Sequence, residues 1–433
     1  MNASVRDLLE FLDRSPTPYH AIAECRRRLE ACGFRRLEEH DGWSLAADDH
    51  AYVTRGAATL AAFVVGNRPS AEVGFRVIGA HTDSPNLRVK PQPDLRANGY
   101  RQLAVEPYGG VLLYTWLDRD LSLAGRVSYL EEGAPRSTLV DFERPILRIP
   151  SLAIHLQREI REDGLTLNAQ TQLNPVLGLD APGGLPEMLA ERLSSDSGVR
   201  IERRDILAFD LMAYETTPAA VGGVDHELVC ASRLDNLASC HAALSALIRS
   251  ADLRAPQTRA IVLFDHEEVG SRSATGADGP FLGEVLERVV LAVGGGTEDV
   301  ARSVSRSLLV STDMAHAVHP NFADRHEPGH RPVIGGGPTI KRNVNQAYAT
   351  DSTTAAHFAA ICRRHEIAIQ NFIARSDMAC GSTIGPVSAA RVGIPTVDVG
   401  NPMLAMHSCR ETAGAADVEP MIRALTAVLG DAL

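Results

Sequence analysis

Apolar residues recur at helical spacing from Val5 to Leu12, and the run SPTP (residues 15–18) ends that pattern. A second helical pattern passes through Ile22 and Leu29, with Gly33 in the position just past a helix end. Strand-like alternation follows, from Ala58 to Val65 and from Gly74 to Ala80. The pattern changes at about Lys90, where PQPDLRANGY supplies turn residues. From there to about Val224, short strand-like pieces (GGVLLYTWL, LAGRVSYL, STLVDF) alternate with turns, and helical stretches are few. From about Asp225 strands and helices alternate. VDHELVCAS precedes a helix from about Leu234 to Ile248, and TRAIVLF and SLLVST read as strands. A helix from Thr354 to Arg364 leads to IAIQNFI, PTVDVG and a C-terminal helix. The expected fold class is α/β. A helix-covered, largely parallel sheet forms a catalytic domain from residues 1–90 and 225–433, and a β-rich domain is inserted at 91–224.

Composition narrows the function classes. At roughly 100–200 residues per domain, 433 residues suit two or three domains. A hydrophobic share of 45% and a charged share of 22% are those of an ordinary globular chain. Lys plus Arg number 43 against 54 Asp plus Glu, a net charge of −11, which leaves no global pull toward nucleic acid. The longest apolar runs are far too short to span a membrane, and the acidic start MNASVRDLLEFLDR does not read as a secretory signal. Cysteines 25, 32, 230, 240, 362, 380 and 409 stand singly, with no CxxC pair. Reduced thiols and a cytoplasmic location are the expectation.

Five segments place acids or histidines directly after a strand-like run. They are VIGAHTDSP (His81, Asp83), LVCASRLDN (Asp235), AIVLFDHEEVGS (Asp265, His266, Glu267, Glu268), LLVSTDMAHAVHP (Asp313, His316, His319) and TVDVGNPMLAMHS (His407). In an open α/β sheet, ligands bind outside the carboxyl ends of the strands, so residues far apart in sequence can share one site. Imidazoles and carboxylates together suit zinc or manganese. Adjacent Glu267 and Glu268 suggest that one carboxylate holds metal while its neighbour moves protons, the division that metal-assisted hydrolysis needs. Each group alone is more often a cap or a solvated acid than a ligand; the conjunction of five strand ends is what points to a metal site.

Other chemistry is excluded. HEPGH at His326–His330 matches the H-E-x-x-H letters, but Pro328 and Gly329 oppose the helix that this zinc motif requires. There is no G-x-S-x-G elbow, and the glycine runs GGGT and GGGP complete neither a P-loop nor a dinucleotide fingerprint.

Taken together, AHTDSP, SRLDN, DHEEVGS, STDMAHAVHPN and LAMHSCRE, with IPSLAIHLQR and CGSTIGP, closely resemble the aspartyl aminopeptidase family of dinuclear zinc exopeptidases, over nearly the whole chain. The resemblance implies two zinc ions per subunit, with cobalt or manganese as substitutes. His81 would bind one, its ring held by Asp83; Asp235 would bridge; Glu268 and Asp313 would be terminal ligands; and His407 would complete the second set. Glu267 would be the general base. His155, in the inserted domain, would reach a neighbouring subunit's active site; an older reading of the family counts it as a zinc ligand with His81 and His407, which would leave the carboxylates without a role. Lys341, in PTIKRN, would lie near the pocket for the substrate's first side chain. The implied activity is removal of single N-terminal residues, Asp or Glu by preference, from peptides with a free N-terminus. The implied partner is the chain itself, in dimers built into a large closed assembly.

Two departures from the eukaryotic pattern, Asp265 before His-Glu-Glu and Cys409 inside MHS–RE, remove neither a ligand nor the base. A related dinuclear deacylase or carboxypeptidase, or an assembly protein with a vestigial site, stays open at this point.

Overall fold

In the computed structural model, which describes residues 2–431, SPTP ends one helix and starts the next. Helix Ala3–Asp13 stops short of it. Thr17 then accepts a bond from the His20 amide and Pro18 takes the first helical position of Pro18–Ala31. Gly33, with φ 81°, follows the end of that helix in the left-handed conformation that glycine adopts without cost.

The chain divides into two compact units. The first comprises Met1–Asp83, Ala219–Met406 and Glu411–Leu433; the second comprises Ser84–Pro218 and His407–Arg410. The first two division points fall a few residues before the expected 90/91 and 224/225.

The first unit is built on a nine-stranded sheet whose four central strands run parallel, in the order Thr258–Phe264, Phe75–His81, Leu308–Thr312, Thr396–Gly400. Every residue of these strands is buried, which is why they read as apolar runs with little polar relief. Alternate side chains enter two different cores. Ile78 and Ile261 pack with Leu244, Phe358 and Leu425 on one face, while Val77 and Val262 pack with Phe281, Val285 and Ile384 on the other. Helices thus cover both faces, and the flanking strands bring antiparallel pairs at Thr59–Val64 and Thr339–Arg342. VDHELVCAS departs from expectation. Its strand Leu228–Ala231 joins a separate five-stranded sheet, antiparallel to Glu411–Gly414, because its alternating burial suits a sheet packed on one side.

The second unit is a six-stranded antiparallel sheet with helix Leu185–Ser197 packed on its core through Leu185, Leu189 and Leu193. PQPDLRANGY lies mostly in strand Asn86–Ala97. Only Asn98 and Gly99, with φ 54° and 84°, form the hairpin turn, and the prolines fall where the register breaks between Val89 and Asp94. GGVLLYTWL is not a strand. It forms a 3₁₀ turn at Leu113–Trp116, since two leading glycines give no strand-like start and only Trp116 of that turn is buried. HEPGH is a loop, as the sequence predicts.

Candidate active site

Three groups of candidate residues stand at the carboxyl ends of neighbouring parallel strands. His81 closes Phe75–His81; Glu267 and Glu268 follow Thr258–Phe264; Asp313 follows Leu308–Thr312 and donates its amide to the Val399 carbonyl at 2.9 Å. Asp235 reaches the same place from the first turn of helix Leu234–Ser250. There Asp235 and Asn236 leave helical geometry, the peptide between them is cis, and the Asp235 amide is held by Glu411 Oε2 at 3.1 Å. Asn236 Nδ2 donates to the Thr312 carbonyl at 2.9 Å, tying this turn to the strand that precedes Asp313.

His81 is the centre of the cluster. Its Nδ1 lies 3.0 Å from the main-chain carbonyl of Asp83, so that nitrogen carries the proton and Nε2 presents its lone pair. Nε2 stands 3.5 Å from Asp235 Oδ1, 3.5 Å from Asp313 Oδ1 and 4.0 Å from Glu267 Oε2. A lone pair facing three carboxylates is repulsive unless a cation or a proton lies among them. Burial alone would push the His81 pKa down, but Asp235, Asp313 and Asp83 outweigh it and hold it well above the ordinary histidine value. The separations suit a metal better than a proton. At 3.5 Å they exceed a good hydrogen bond, and they match the spacing of about 3.3 Å between donors that surround a tetrahedral ion at 2.0–2.1 Å. His81, Asp235 and Asp313 offer donor atoms within 4.8 Å of one another, and so do His81, Glu267 and Glu268. The donor set therefore fits zinc.

Asp83 stands beside the His81 ring and carries a second task. The ring is held by its carbonyl, and the nearer carboxylate oxygen is 3.4 Å from Nδ1. Fully buried, that carboxylate also accepts the amides of Glu267 and Glu268, each at 3.1 Å. This fixes the short turn Glu267–Val269, which is bracketed by His266 at φ 63° and Gly270 at φ 93°. Burial, with Asp313, Glu268 and Asp83 close by, raises the Glu267 pKa well above the carboxylate range despite the opposing pull of His81.

Lys341 is buried, with Nζ 3.3 Å from Asp313 Oδ2 and 3.2 Å from the Met314 carbonyl. His407 belongs to the second unit, where its Nδ1 bonds the Gly110 carbonyl at 3.1 Å and so presents Nε2, as His81 does. His155 sits exposed on the 3₁₀ turn Ile154–Leu156. Sequence reasoning missed Glu411 and Cys240. Glu411 ends the LAMHSCRE segment, and Cys240 donates its thiol to the His81 carbonyl at 2.9 Å. Neither residue type signals that role by itself.

Residues 11–428 match a family model described as aminopeptidase I zinc metalloprotease (M18). A probable M18 family aminopeptidase 2 of Ectopseudomonas mendocina is 50% identical over 426 residues, covering 98% of this chain and 97% of that protein. A solved structure of an Ape4–Nbr1 complex aligns with a TM-score of 0.95 at 38% identity, covering 99% of this chain and 85% of that one. The mApe1 dodecamer of S. cerevisiae aligns at 0.84 and 29% identity, covering 98% and 95%.

Proposed function

The chain belongs to the M18 family and is a zinc aminopeptidase, and from that premise we propose a division of labour among its residues. His81, Asp235 and Asp313 hold one zinc; Glu268 takes part in a second site with Asp235 as the bridge. His407 is assigned as the second site's histidine on the sequence resemblance alone. When bound, the two ions supply Lewis acidity and an acidified water. Cobalt and manganese suit a carboxylate-rich set as well. Glu267 is the general base: it takes a proton from the attacking water at its carboxylate and passes it to the leaving amine. Asp83 keeps both glutamates in place, and Glu411 holds the Asp235 turn.

The observation that carries this reading is the bare Nε2 of His81 facing three carboxylates. A peptide with a free N-terminus is the expected substrate. Metal-loaded protein should release single residues from free peptides and none from N-acetylated ones, and equal cleavage of both would refute exopeptidase action. The proposed preference for Asp or Glu rests on the resemblance, since the Lys341 ammonium is already engaged by Asp313. A panel of aminoacyl substrates decides it, and faster cleavage of Leu than of Asp overturns it.

The second unit is proposed to pair subunits. Leu152, Ile154 and Leu156 flank His155 at 56%, 44% and 72% exposure, an apolar stretch that a neighbouring copy would cover. A homo-oligomer is supported by the similarity to the yeast mApe1 dodecamer, and its construction from dimers into a closed assembly is proposed on the sequence resemblance. A cytoplasmic location is supported by seven free cysteines. No helix among the described residues is long and apolar enough to cross a membrane.

A further inference from the structure

Lys341 is more enclosed than a substrate-facing lysine needs to be. It lies on strand Thr339–Arg342 with 2% of its surface exposed. Its ammonium bonds Asp313 Oδ2 and the Met314 carbonyl and stands 5.1 Å from the Tyr348 ring centroid. Ile340 pairs antiparallel with Val399, the neighbour in sequence of the buried Asp398. A buried ammonium persists only when paired, and here the pairing fixes it in place. The two oxygens of Asp313 consequently face different partners. Oδ2 meets Lys341 at 3.3 Å, while Oδ1 meets His81 Nε2 at 3.5 Å.

We propose that Lys341 is a positioning residue for the metal site: by holding Oδ2, it makes Asp313 a one-oxygen donor and draws charge away from that donor. This rests on the reading of Asp313 as a metal ligand. An ammonium so close also repels a divalent cation. The site thereby gives up binding strength and leaves a bound cation with more of its charge for the substrate carbonyl. Removing the ammonium should therefore tighten metal binding while slowing turnover, whatever the substrate's first side chain.

The test is Lys341→Met in the metal-loaded protein, titrated with a chelator and followed by zinc release. The expected result is zinc held more tightly than in the wild type, because a like charge beside the cation is gone. The gap in melting temperature between loaded and stripped protein should widen, because the stripped variant keeps a buried Asp313 without its cation. The value of kcat should fall equally on Asp and Leu substrates, with KM kept. Unchanged or weaker zinc affinity overturns the proposal. So does a loss confined to KM for acidic substrates, which would return Lys341 to the substrate pocket. A lysine that merely packs lowers both melting temperatures together and leaves zinc affinity alone, which also overturns it. Should Lys341→Met not fold, Lys341→Gln is read by the same titration. Asp313→Asn separates the premise from the proposal. Full zinc retention in Asp313→Asn removes Asp313 as a ligand. Zinc loss there, with unchanged affinity in Lys341→Met, defeats only the role of Lys341.

Discussion

Replacing Asp83 by Asn separates two functions that one residue carries. Its main-chain carbonyl holds His81 Nδ1 at 3.0 Å, and its carboxylate holds the amides of Glu267 and Glu268 at 3.1 Å each. Asp83→Asn leaves the carbonyl in place, weakens the acceptor pair and removes a negative charge 3.4 Å from His81 Nδ1. The amide oxygen can keep one of the two bonds, now without charge, and its NH₂ group turns toward the other N–H. Bonds to a charged acceptor contribute about 1.5–3 kcal/mol each, so the variant should lose about 2–4 kcal/mol of native stability around this turn. Displacing the Glu267 carboxylate by about 1 Å costs about 10²-fold in rate. The expected outcome is a fall in kcat of about that size, with metal affinity within about tenfold of wild type because the His81 ring is still held. Chelator titration, urea unfolding and steady-state kinetics on one preparation read all three quantities. If Asp83 acted on His81 through its carboxylate, metal affinity would drop 10–100-fold in step with activity. That parallel loss, or wild-type stability and turnover, would refute the reasoning.

Two further outcomes can be measured, the first resting on the sequence resemblance and the second on the geometry. Mixing inactive His155→Ala with inactive Glu267→Gln, after gentle dissociation and reassembly, should restore activity if His155 serves a neighbour's site; background activity in hybrids confirmed by native mass measurement would sink the shared site. Buried His241 bonds Asp7 at 2.7 Å, and burial holds its pKa below the usual value, while Asp7 is held low by that bond and by Arg28. The unfolded chain therefore binds more protons than the native one as the pH falls below about 6.5 for His241 and below about 3.9 for Asp7, so stability is lost on acidification through both windows. Melting temperature should drop between pH 7 and 5 and drop less in His241→Gln, and an identical slope in the variant would contradict this.

The parallel centre of the first unit was legible because its strands are buried on both faces and so spell continuous apolar runs such as TRAIVLF. The strand-end acids were legible for the same reason, since the run marks where the strand stops. What could not be read was partner choice. Leu228–Ala231 looks like any short strand, and only tertiary pairing with Glu411–Gly414 assigns it to a different sheet. The residues of GGVLLYTWL are apolar enough for a strand, yet two glycines and a single buried Trp116 leave them in a turn. Lys341 reads as a surface residue on its own, and its burial depends on Asp313 meeting it across two strands. Asp83 was placed beside His81 by the sequence resemblance, but its bonds to the Glu267 and Glu268 amides depend on the turn after Phe264.

The central claim is that Glu267 moves protons while its neighbours hold metal, and one measurement reaches it most directly. Metal content and kcat are determined together for Glu267→Gln and Asp235→Ala. Glu267→Gln should keep two zinc ions per chain and a wild-type fold while kcat falls by about 10²–10⁴-fold, the range that general acid–base catalysis supplies. Asp235→Ala should lose metal along with activity. Loss of zinc from Glu267→Gln with both ions retained in Asp235→Ala would contradict the account, as would near-normal turnover in Glu267→Gln.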